Sequence, residues 1–149
     1  MKRVLYIGVD PHTGMGLGRV SDQIVSVLDS IDTIESFFGI LNYVPNTMRS
    51  YKRCRPFQLA STVQGDHQAF FAIEQFVSEI QPDLIITHND LDVVKTYFLG
   101  DERLGLRPVD GIEDIPFILY PPVDTIKIPE DWLTIKNMGT GIDGTKGIS

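Results

Sequence analysis

Arg3-Val4-Leu5-Tyr6-Ile7-Gly8-Val9 followed by Asp10-Pro11, and then Gly14-Met15-Gly16-Leu17-Gly18-Arg19, is the stretch that decides how this 149-residue chain folds. Apart from Arg3, the residues up to Val9 are apolar and include β-branched Val4, Ile7 and Val9, and Asp-Pro bounds them, so they read as a buried strand. After the glycines, apolar residues recur at Val20, Ile24, Val27, Leu28 and Ile31, one stripe of an amphipathic helix. Strand, glycine loop and helix form the opening unit of a parallel α/β domain, which binds ligands beyond the carboxyl ends of its strands.

Glycine lets backbone N–H groups approach a ligand where a Cβ would clash. The positive end of the following helix points at the same place, so the junction favours an anion such as a phosphate. Gly14, Gly16, Gly18 and Arg19 are therefore candidate binding residues. The bland alternative is a tight turn with close helix packing. The dinucleotide fingerprint is incomplete, because its third glycine falls on Arg19 and no acid ends the second strand at Leu41-Asn42-Tyr43. No Gly-Lys-Ser/Thr follows either, which excludes a Walker loop.

The length is that of one domain with a sizeable core, and 42% hydrophobic with 22% charged residues is ordinary for a soluble protein. No apolar run is long enough for a transmembrane segment, and the first strand is too short for a secretory core. A cytoplasmic location is the expectation. The single Cys54 excludes an internal disulfide and a cysteine-based metal cluster. A net charge of −7 argues against non-specific nucleic-acid binding.

A second strand is expected over 34–42. Tyr43 to Gln64 lacks helical periodicity and carries Arg49, Lys52, Arg53 and Arg55, either a solvated counterweight to an acidic protein or an anionic acceptor or partner site. Phe57 to Val63 reads as a short third strand. Asp66 is placed to cap a helix with a stripe at Phe70, Ile73, Val77 and Ile80, which Gln81-Pro82-Asp83 stops. Leu84 to Thr87 is the fourth strand, and a helix over Leu91 to Leu99 follows, capped by Asn89 or Asp90. His88 stands between them, a titratable imidazole at a strand's carboxyl end. A polar connection leads to a fifth strand over 115–120, and Pro129 opens a last helix containing Trp132. Four glycines between Gly139 and Gly147, with few apolar residues, read as a frayed or linker-like tail over 139–149.

This order predicts an α/β fold, a doubly wound, Rossmann-like parallel sheet in a single three-layer domain. Asp10 to Arg19, His88 to Asp90 and Tyr120 to Asp124 would then converge on one edge.

Three segments resemble the N-terminal half of GT-B-fold glycosyltransferases of the group-1, retaining type. These are the glycine loop with its helix, Gln81-Pro82-Asp83-Leu84-Ile85-Ile86-Thr87-His88, and Tyr120-Pro121-Pro122-Val123-Asp124 with Ile128-Pro129-Glu130-Asp131-Trp132. The resemblance implies that residues 1–138 form the acceptor-side domain of an enzyme that transfers a sugar from a nucleotide-sugar donor. A C-terminal domain or partner chain would bind the donor and complete the activity, with no metal or other cofactor. It implies that Gly16 and its neighbours approach the donor diphosphate or sugar. His88 would contact the transferred sugar as the catalytic position, flanked by Asn89 and Asp90, and Asp124 would support the crevice. The alternative from another class is a stand-alone, non-catalytic module on the same fold that binds a small phosphorylated ligand or a protein partner. A flavodoxin-like signalling receiver would want clustered acids at the first strand end, where only Asp10 stands.

Overall fold

The computed structural model describes residues 1–13, 16–59, 69–120 and 138–140. Its centre is a parallel sheet in the order β3-β2-β1-β4-β5-β6. The strands are β1 (Lys2–Val9), β2 (Ile34–Leu41), β3 (Arg55–Gln58), β4 (Leu84–Thr87), β5 (Phe117–Leu119) and β6 (Met138–Thr140). Among the described residues three α-helices accompany them, α1 (Gly16–Ser30), α2 (Phe70–Ile80) and α3 (Leu91–Leu99). The expected α/β, Rossmann-like domain is therefore what the chain forms.

β1 is apolar from Val4 to Val9 because both of its faces are covered there. Val4 and Tyr6 join Phe38 and Ile40 of β2 and Val25 and Leu28 of α1 in one core. Leu5 and Ile7 look the other way, into a core with Ile73 and Val77 of α2 and Val94, Tyr97 and Phe98 of α3. Alternate residues of one strand thus serve two cores. α1 leaves β1 on one face and α3 leaves β4 on the other, so chain direction across the sheet reverses between β1 and β4. That is the switch point at which sheets of this kind open a ligand crevice.

Several boundaries differ from expectation, each for a local reason. Gly16, Leu17, Gly18 and Arg19 are the first turn of α1 and not a loop before it. The buried face of α1 runs through Gly18, Ser21, Val25 and Leu28, while Val27 is 60% exposed. The apolar stripe read from sequence is rotated because Ser21 points inward, where its hydroxyl meets the Tyr6 hydroxyl at 3.0 Å. β3 starts at Arg55, pulled forward by pairing with Phe37, and ends at Gln58. β5 covers only Phe117–Leu119 of the expected 115–120, since Ile115 closes a 3-10 turn over Ile112–Asp114. The reading of a frayed tail from Gly139 is corrected at its first two residues. Gly139 and Thr140 pair with Ile118 and Leu119 in β6, and pairing of this kind uses backbone groups and needs no apolar side chain.

β4 and α3 match their predicted spans, whereas α2 starts at Phe70, later than a helix capped by Asp66 would, because Ala69 stands at its N-cap in the left-handed region (φ 57°). Gln81 ends α2 in the left-handed region (φ 51°), its N–H on the Val77 carbonyl. The expected cap of α3 is corrected in detail. Asp90 occupies the N-cap but its side chain makes no capping bond, and Asn89 Oδ1 accepts instead from the Asp90 N–H at 2.8 Å. Residues 61–63, Asp66, the Pro129–Trp132 helix and 141–149 lie outside the described residues. Among the described residues no helix is long and apolar enough to cross a membrane.

Candidate functional site

The carboxyl ends of β1, β4 and β5 meet at one edge. The β1–β4 register sets Ile7 opposite Thr87, and the Thr87 hydroxyl donates to the Ile7 carbonyl at 2.8 Å, binding the two central strands just below the edge. Beyond Thr87 stands His88, 4% exposed. Its Nδ1 lies 2.5 Å from the Tyr120 carbonyl, and Tyr120 N–H itself bonds the Thr87 carbonyl at 2.8 Å. A carbonyl can only accept, so Nδ1 carries the proton and Nε2 keeps its lone pair. Burial lowers the His88 pKa more than the Tyr120 bond and the Asp90 charge raise it, so the ring is neutral at pH 7. The result is a fixed imidazole whose Nε2 can accept a hydrogen bond.

The β1 end holds a second arrangement. Asp10 is 2% exposed, and its N–H continues the sheet ladder to the Leu41 carbonyl at 2.9 Å. Its Oδ1 accepts from the His12 N–H at 2.8 Å and faces His12 Nδ1 at 2.9 Å, while Oδ2 accepts from the Val44 N–H at 2.8 Å. Burial pushes this carboxyl up, but the N–H groups of Val44 and His12, and then the His12 ring, outweigh it and hold it below the ordinary carboxylate value.

The glycines divide. A Cβ on Gly18 would stand 2.7 Å from the Asp10 carbonyl oxygen and 2.8 Å from Thr13 Oγ1, so this glycine serves the close approach of helix to strand end. A Cβ on Gly16 would meet nothing within 4 Å. Gly16 and Arg19 are exposed at the start of α1, as is Asp90 at the start of α3, while Asn89 is buried. Gly14 and Asp124 lie outside the described residues.

The basic loop is tied to α1. Arg49 pairs with Asp22, and the Arg55 guanidinium lies 5.6 Å from the Phe37 ring centroid. Asp29 receives the backbone N–H groups of Lys52 (3.1 Å), Arg53 (2.6 Å) and Cys54 (2.9 Å). Those bonds, from Cys54 first and Arg53 next, hold its carboxyl below the usual range. Asp29→Asn is expected to cost about 1 kcal/mol at neutral pH, the worth of one exposed charge-assisted contact. A depressed carboxyl pKa stabilises above the unfolded value of 3.8, and that gain is lost as pH falls through the folded value. Urea midpoints of variant and parent should therefore separate at pH 7 and converge below pH 3.8; a constant gap would refute the latch.

Among the described residues no three His, Cys, Asp or Glu are grouped to hold a metal ion. Sequence reading singled out His88 and the β1 end but passed over His12. Asp-Pro-His after a strand reads as a turn, and only the fold reveals that its ring turns back onto Asp10. No protein-family model matches the chain, and no curated protein matches it.

Proposed function

We propose that this chain is the acceptor-side, N-terminal domain of a GT-B glycosyltransferase, transferring a sugar from a nucleotide-sugar donor once a donor-binding domain or partner chain completes it. The observation that carries the reading is His88: a buried, neutral imidazole, locked in one tautomer by the Tyr120 carbonyl just past β5, at the switch point of the sheet. Its Nε2 suits a hydroxyl of the transferred sugar, a neutral donor that a cationic ring would serve poorly. The open start of α1 at Gly16 offers backbone N–H groups to the diphosphate that leaves. Asn89 and Asp90 flank the same strand end.

The test is transfer from a panel of UDP- and GDP-hexoses by the protein made from the native gene in its own host, with and without His88→Ala. The variant should lose roughly tenfold or more in turnover, about 1.4 kcal/mol or above, with an unchanged far-UV spectrum. The acid limb of the parent's profile should have its midpoint below pH 6.5, because burial lowers the ring's pKa. Near-parental turnover in the variant would remove His88 from the reaction. Binding of a phosphorylated compound without any turnover would favour the non-catalytic module.

A further inference from the structure

We propose that His12 is the proton acceptor of this edge, with Asp10 as its positioning residue and a hydroxyl compound, water or alcohol, as its substrate class. The Asp10 carboxylate can only accept, so His12 Nδ1, 2.9 Å away, carries the hydrogen and Nε2 keeps its lone pair. The ring is held from both sides of the turn. Pro11 fixes the backbone between the two residues, and the Thr13 N–H closes a 3-10 turn on the Asp10 carbonyl at 3.1 Å. The imidazole is not there to satisfy a lonely carboxylate, since Asp10 already receives the backbone N–H groups of His12 and Val44. A base aimed by a buried carboxylate and presenting its other nitrogen outward is the arrangement that general-base chemistry requires.

What occupies Nε2 supports the assignment. Arg49 Nε donates to it across 3.4 Å, a long bond from a side chain that is itself 44% exposed, while the His12 side chain is 31% exposed. The contact requires an unprotonated Nε2, and a hydroxyl can take the place of that N–H. Asp22, on α1, draws the guanidinium away through their ion pair. The Tyr51 hydroxyl lies within the electrostatic reach of Arg49, Asp22 and Asp10. Among the described residues the ionisable side chains in contact with the ring are those of Asp10 and Arg49, with Asp22 reaching it through Arg49.

In the step itself, the hydroxyl oxygen bonds an electrophilic carbon as its proton passes to Nε2. The leaving group departs with the electron pair of the broken bond, and the imidazolium, stabilised by Asp10, returns the proton to solvent. The identity of the hydroxyl compound as a sugar acceptor rests on the glycosyltransferase reading; the dyad does not.

The probe is therefore p-nitrophenyl acetate, hydrolysed by the full chain between pH 5 and 9. Water would give its proton to Nε2 as its oxygen bonds the acetyl carbon, and p-nitrophenolate would leave. His12→Gln should lower the protein-dependent rate at least about tenfold, and Asp10→Asn should lower kcat about threefold or more with KM little changed, since the ring loses the carboxylate that orients it. Arg49→Gln should raise the rate by about twofold or more by freeing Nε2. A His12→Gln rate within twofold of the parent would overturn the proposal. So would an Arg49→Gln rate as low as that of His12→Gln, which would make the cation the active group. If Asp10→Asn fails to fold, the His12 and Arg49 arms decide. Loss of the glycosyltransferase reading would appear only in the nucleotide-sugar assay and would leave these rates unchanged.

Discussion

Gly18→Ala should destabilise the domain by about 2–3 kcal/mol, against the sign that a helix interior normally gives. Alanine in place of glycine inside a helix usually gains close to 1 kcal/mol, because it removes backbone freedom from the unfolded chain. Here the added Cβ would sit 2.7 Å from the Asp10 carbonyl oxygen, a backbone atom that already accepts the Thr13 N–H at 3.1 Å. To relieve that overlap, α1 would have to lift off the end of β1, opening space beneath Val25 and Leu28 in the core they share with Tyr6 and Phe38. Overpacking of this kind typically costs about 1–3 kcal/mol, and a rigid backbone partner puts it at the upper end. Gly16→Ala is the control, with nothing within 4 Å of its Cβ, and should shift stability by no more than about 0.5 kcal/mol. Urea titration of both variants measures the difference. Equal midpoints would mean that Gly18 is free to take a side chain, and the packing account would fail.

The same pair of glycines shows what a sequence can and cannot disclose. Gly16 and Gly18 look alike in a glycine-rich motif, and both the ligand reading and the packing reading were available. The fold assigns them different surroundings: Gly18 touches the end of β1 and Gly16 faces open space. β4 and α3 were legible to the residue and α2 in its body and C-terminal end, because each is a strong local pattern: Leu84 to Ile86 is an apolar run closed by Thr87, and Phe70-Ile73-Val77-Ile80 is a clean helical stripe. The inward turn of α1 was not legible, since Ser21 owes its burial to a hydroxyl partner 15 residues away, on Tyr6. The basic loop was ambiguous for the same reason. Charge in a sequence does not reveal that Asp22 and Asp29, two turns apart on α1, are waiting to receive it. His88 was legible because strand ends are where such sheets put chemistry, whereas His12 needed the return of its ring onto Asp10 to be seen at all.

Asp10→Ala is the larger stability prediction, an expected loss of about 3–4 kcal/mol, and it also tests how the β1 edge is held together. The substitution removes the acceptor of two backbone N–H groups, those of His12 and Val44, and the partner of the His12 ring. Each N–H left without an acceptor in this nearly closed setting costs about 1–3 kcal/mol, partly recovered where water can enter. Asp10→Asn should cost less, about 1–2 kcal/mol, because one carbonyl oxygen remains for the backbone donors. The pH dependence separates a charge effect from a shape effect. The folded-state pKa of Asp10 lies below its unfolded value of 3.8, so its contribution is complete above that pH and disappears as pH falls through the folded value. Loss of the carboxylate bonds should therefore bring parent and Asp10→Asn together in strong acid. Loss of side-chain volume has no such dependence, so Asp10→Ala should keep a residual deficit there. Hydrogen exchange adds the local readout: the Val44 amide should lose protection in both variants, while the β4 and β5 amides keep theirs. Protection unchanged at Val44 would mean that the loop after β2 is held by Asp22 and Asp29 alone, and that Asp10 is spent entirely on orienting His12.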